Sequence, residues 1–75
     1  METKEFTWFD IVLSTRVNKH GVPCGNARTW TVTLGGWDTE KLIRRAEMAL
    51  KIRFRMPLAQ KLHVVACTVC PNPPA

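Results

Sequence analysis

ARTWTVTLGGWDTEKLIRRAEMALKIRFRM, residues 27–56, carries two periodicities in succession, and the change from one to the other decides the fold. From Arg28 to Leu34 the pattern alternates: Trp30, Val32 and Leu34 point one way, Thr29, Thr31 and Thr33 the other. That period of two, in β-branched and aromatic residues, describes a half-buried strand. Gly35-Gly36 is expected to break it, and a helix is expected from Thr39 to about Phe54. Asp38 is the expected N-cap, its carboxylate accepting from free N–H groups of the first turn. Glu40 places negative charge where the helix dipole favours it. Trp37 and Leu42 have the spacing of a hydrophobic staple around that cap. Pro57 disfavours a helical Met56 and ends the element.

At about 100° per residue the helix divides into two sides. Leu42, Ile43, Ala46, Ala49, Leu50 and Phe54 form an apolar stripe, while Lys41, Arg44, Arg45, Lys51 and Arg55 lie opposite. Met48 and Ile52 fall in the middle of the basic side, where packing on a sheet cannot hide them. Arg53 falls within the apolar stripe, its stem expected along apolar surface with the charge reaching water.

Outward from this stretch, Phe6–Val17 reads as a first strand. Phe9, Ile11, Leu13 and Val17 form one face, and Phe6, Trp8 and Val12, interrupted by Asp10, the other. A strand apolar on both faces belongs in the centre of a sheet. Residues 16–26 are turn-rich, too long for a tight hairpin, and expected to be mobile at the tip. Leu62–Val69 reads as the last strand. Residues 1–5 and 71–75 are expected to be flexible tails, the latter because its prolines cannot join a ladder. The expected architecture is a single α+β domain over 1–75, β-β-α-β with strand order 2-1-3. One helix covers one face, and a right-handed crossover returns the third strand parallel to the second. Phe6, Trp8 and Val12 would stay uncovered, joined by Val65 and Cys67 or by Val64 and Ala66 according to register. Phe6, Trp8, Val12 and Val65 are therefore the candidate dimer face.

The chain has 75 residues and a formal charge of +5. A domain this short has a thin stability margin, which a homodimer, a metal or a disulfide would widen. The charge favours acidic partners, either nucleic acid or an acidic protein surface, and opposes mimicry of DNA. No apolar run is long enough to span a membrane. The first residues lack the features of a signal peptide, so a cytoplasmic location is expected. Three cysteines fit reduced thiols better than a disulfide framework.

Chemistry-bearing residues are sparse. Cys67-Thr-Val-Cys70 has metal-ligand spacing, and His20 and Cys24 could complete a Cys3His zinc site. On the 2-1-3 topology, however, His20 and Cys24 lie at one end of the sheet and Cys70 at the other. Alternation also turns Cys67 and Cys70 to opposite faces, so the expectation is no metal and no cofactor. Cysteine catalysis would need a neighbouring histidine, and His63 is about 13 Å from Cys67 along a strand. Gly35-Gly36 before a helix could hold a phosphate, but no further glycine or Lys-Ser/Thr follows, and a strand-to-helix turn is the simpler reading. No paired carboxylates occur, so an enzyme is not expected. The basic helix face admits two partners. Met48 and Ile52 within a charged rim suit a protein interface; the arginines alone would suit phosphates.

In size, in its lone strand-strand-helix-strand unit and in lacking a catalytic motif, the chain resembles small phage-encoded inhibitors of bacterial defence, anti-CRISPR proteins among them. The resemblance covers the whole chain in type and carries over no residue. It implies a non-enzymatic inhibitor in the host cytosol, binding a host nuclease or surveillance complex and blocking nucleic-acid access or nuclease recruitment. Its partner would be a host protein or nucleoprotein complex, met through Lys41, Arg44, Arg45, Met48, Lys51, Ile52 and Arg55.

Overall fold

A computed structural model describes residues 2–71 and, within them, the side chains from residue 5 onward. The order is β1 (Glu2–Ser14), β2 (Thr29–Asp38), α1 (Thr39–Arg53) and β3 (His63–Val69). The sheet order is β2-β1-β3, with β1 antiparallel to both neighbours. The outer strands therefore run the same way, and α1 carries the chain across β1 between them. This is the expected α+β arrangement with the first strand in the centre.

Alternation sorts β1 as its sequence suggests. Phe9, Ile11 and Leu13 are buried and meet Leu42, Ala46 and Leu50 of α1 together with Leu62. Trp30, Val32 and Leu34 pack at the margin of this core while the threonines of β2 face out. The opposite face of the sheet has no element over it among the described residues. There Asp10 accepts a hydrogen bond from the Thr33 hydroxyl at 2.7 Å, directly across the β1–β2 ladder.

Several boundaries differ from the sequence reading. Strand β1 begins at Glu2, so residues 2–5 lie within the strand although only Glu2 of them is paired, and it ends at Ser14 rather than Val17. Val17 instead forms an isolated bridge with Pro23. The Gly35-Gly36 pair does not break β2, which runs on to Asp38. The reason is packing. A Cβ on Gly35 would come within 2.5 Å of the Phe6 ring, and one on Gly36 within 3.0 Å of Leu42. The bare backbone admits an aromatic ring on one face and a core leucine on the other. Between Glu2 and Thr7 the pairing register shifts, and the Thr7 hydroxyl donates to the Glu5 carbonyl within this irregular stretch.

The 15–28 connection is shaped by local hydrogen bonds and turns. Asn18 Oδ1 accepts from the N–H groups of His20 and Val22, and Gly21 and Gly25 take the left-handed conformations its turns need. At its base Thr15 and Arg28 exchange hydrogen bonds. Of the expected C-terminal tail, residues 72–75 lie outside the described residues.

Candidate functional site

The helix is fixed at both ends by its own residues. Asp38 stands in extended conformation and its carboxylate accepts from the Glu40 N–H at 3.0 Å. The two residues with staple spacing, Trp37 and Leu42, border one cleft. Leu42 enters the core, while the Trp37 ring sits edge-on to Phe6, with centroids 5.1 Å apart. At the other end Met56 N–H donates to the Lys51 carbonyl at 2.8 Å and Arg55 N–H to the Ile52 carbonyl at 3.3 Å. Together these two bonds make a Schellman cap. Its left-handed position, usually glycine, is held by Arg55 at φ 53°.

Between these ends the outward side of α1 presents what the sequence suggests. Met48 is 47% exposed and Ile52 70%. Lys41, Arg44, Arg45 and Arg55 are exposed around them, and none of the four forms an ion pair with a described residue. Lys51 differs: it is half-buried, and its Nζ donates to the Leu58 carbonyl at 2.8 Å, latching the turn after the helix. Its charge still contributes to the field, but its donor is engaged within the chain. Ala49 and Phe54, placed in the apolar stripe by spacing, are exposed; only Leu42, Ala46 and Leu50 of the helix are buried. Arg53 is exposed with its guanidinium 5.6 Å from the centroid of the Phe54 ring.

Sequence reasoning missed Trp37. It lines a cleft of about 240 Å³ beside Gly36, Lys41 and Arg45, so an indole adjoins the cationic face. Continuing the β2 alternation through the glycines would have found it, because Trp37 falls on the parity opposite Leu34. Leu58, on the turn held by Lys51, is a further exposed apolar residue with no sequence signal.

On the open face of the sheet Phe6 meets Trp8 and Trp37 in edge-to-face contacts at 5.5 and 5.1 Å. Phe6 is 50% exposed, and Val12 and Trp8 are half-buried. The register pairs Val12 with Ala66 and Ile11 with Cys67, so Ala66 joins the open face while Cys67 packs toward the core. Val65 is the residue passed over where the register shifts between the Val12–Ala66 and Leu13–Val64 pairs, and it is half-buried.

The topology separates the residues of the zinc alternative. Cys70 N–H donates to the Trp8 carbonyl at one end of β1, whereas His20 and Cys24 belong to the connection leaving the other end, after Ser14. Among the described residues no three potential ligands gather. Burial pushes the Cys67 thiol above its ordinary value, which disfavours the thiolate a nucleophile or ligand needs. Among the described residues no helix is long and apolar enough to cross a membrane. Comparison of the chain with family models, curated proteins and solved structures gave no match.

Proposed function

We propose that this chain is a non-catalytic binding protein that occludes a partner surface with the outward side of α1. One observation carries the reading: Met48 and Ile52 are exposed at the centre of cations that form no ion pair with a described residue. Exposed apolar side chains inside a charged rim gain free energy when a partner covers them, while the rim sets orientation and encounter rate. The chemistry calls for an acidic protein surface with an apolar recess. A phage-type inhibitor of a host defence complex, CRISPR–Cas-like, is the biological setting this reading favours. Self-association through Phe6, Trp8 and Val12 would present two such helices, and sedimentation equilibrium at micromolar concentration tests it: a sharp monomer mass removes the dimer.

Capture from host lysate, with and without nuclease, tests the main reading. Capture should survive nuclease, and Met48→Asp with Ile52→Asp should abolish it, as for residues at the centre of an interface. Retained protein affinity in that double variant would refute the proposal.

The Trp37 cleft favours a second reading, direct binding of single-stranded nucleic acid. An indole next to Lys41 and Arg45 joins a stacking surface to phosphate-binding cations. Salt separates the two. Phosphate-dominated binding falls steeply with ionic strength, and an interface with an apolar centre falls less.

A further inference from the structure

At the C-terminal end of α1 the chain forms a second cleft, away from Trp37, Met48 and Ile52. Its volume is about 350 Å³, at the lower end of the range of small-molecule sites. Trp30 and Phe54 line it, their rings tilted by 36° with centroids 5.6 Å apart. Asn26, Arg28 and Gln60 supply polar side chains around these rings. Each is placed by its own backbone. Thr15 N–H donates to the Arg28 carbonyl at 3.1 Å, and Arg28 N–H to the Thr15 hydroxyl at 3.0 Å, which clamps the point where the guanidinium departs. Asn26 lies in a turn closed by Ala27 N–H on the Cys24 carbonyl, and Gln60 donates its own N–H to the Pro57 carbonyl. These bonds use main-chain groups and the Thr15 hydroxyl, and none engages the Arg28 guanidinium or the two carboxamides. Among the described residues no carboxylate lines the cleft, and Arg53 adds positive charge over the Phe54 ring.

We propose that this cleft binds a phosphorylated nucleoside. The base lies against Trp30 and Phe54, because every base offers an apolar ring face. Carboxamides carry a donor and an acceptor side by side, as the edge of a base does, so Asn26 and Gln60 meet that edge. Arg28 takes the phosphate, for which its planar fork of donors is suited. Inorganic phosphate would leave the rings and amides unused, and an aliphatic acid would leave the rings unmatched. A free mononucleotide and a nucleotide within a single strand share this chemistry. The site is separate from the occluding face of α1 and goes beyond the docking reading.

The test is an amide and indole NMR titration of the full chain with AMP, CMP, adenosine, inorganic phosphate and a short adenine oligonucleotide. AMP or CMP should shift the Trp30 indole signal and the Asn26 and Gln60 side-chain amides together. Arg28→Ala should weaken AMP by about tenfold, the loss of one charge-assisted contact, and leave adenosine unchanged. Asn26→Ala should weaken both. Both residues are exposed, so preserved spectral dispersion will show that the variants fold. Tighter binding of the oligonucleotide at the same signals identifies a strand as the source, and equal affinity identifies the free nucleotide; either supports the site. Absence of shifts at these three side chains at millimolar AMP would overturn it, as would equal affinity for inorganic phosphate. The Met48→Asp, Ile52→Asp chain should bind AMP unchanged, which keeps failure of this site distinct from failure of the docking face.

Discussion

The two faces of the sheet differ in chemistry, although β1 supplies both. Toward α1 the strand offers Phe9, Ile11 and Leu13, and mainly aliphatic neighbours close over them completely. On the other side Phe6 and Trp8 join Trp37 in edge-to-face contacts that leave Phe6 and Trp37 about half in water. The covered face is held by exclusion of solvent, the open one by ring geometry and polar pairing such as the Asp10–Thr33 hydrogen bond. Adjacent glycines serve the two faces separately, Gly36 admitting Leu42 and Gly35 admitting Phe6. The lesson is that a strand can be apolar on both sides without contributing equally to stability on both.

Substitution should expose this inequality. Leu13→Ala, at a fully buried position, should cost about 2–5 kcal/mol, a large share of a small domain's stability. Phe6→Ala should cost about 1 kcal/mol, since half the ring is already hydrated. Urea midpoints measure both; equal losses would erase the distinction between the faces. The glycines sharpen it further. Gly36→Ala presses on a buried leucine and should cost about 1–3 kcal/mol. Gly35→Ala meets the far end of the half-exposed Phe6 ring, which can swing outward, and the half-buried Trp8 ring at 3.0 Å, and should cost about 1 kcal/mol. A reversed order would mean that the aromatic face is the more rigid.

Arg55 opposes stability to the outward surface. Its left-handed backbone costs a side chain about 1 kcal/mol that glycine avoids. Arg55→Gly should therefore raise the denaturation midpoint while weakening capture of the partner. A variant that is more stable and binds as well would remove Arg55 from the docking face. The smallest effect concerns Cys67. Burial raises its folded value above the ordinary 9.0, so the folded chain holds the thiol proton more tightly than the unfolded one. Its contribution is complete below the ordinary value and is lost as pH rises through the folded value. Urea midpoints between roughly pH 8 and 10 should decline slightly more for the parent chain than for Cys67→Ala.

These features were unevenly legible in the sequence. The alternation of Trp30, Val32 and Leu34 and the helical spacing of Leu42, Ala46 and Leu50 are local patterns, and both survived folding. The outward placement of Met48 and Ile52 followed from them, because one helix has only one covered side. What was missed depends on distant partners. Glu2 pairs with Asp38 and Thr7 with Gly36, so the start of β1 and the continuation of β2 through its glycines define each other, and neither pattern reveals this alone. Glycine's poor strand propensity is overridden where a ring or a leucine occupies the missing side chain's space. The Lys51–Leu58 bond, the Trp37 cleft and the convergence of Asn26, Arg28 and Gln60 rest on turn conformations that spacing does not encode.

The position of β1 between its neighbours sets an order of assembly. Its pairs with β2 close through a single hairpin, whereas Phe9 finds Val69 only after the helix has crossed the sheet. Closing the longer loop is slower. A chain emerging from the ribosome can therefore complete the hairpin and lay α1 on it while the other margin of β1 still lacks its ladder. Until His63–Val69 arrives, that margin is a template for any extended segment nearby. Truncation within the last strand would make the nascent condition permanent, and self-aggregation is its expected outcome.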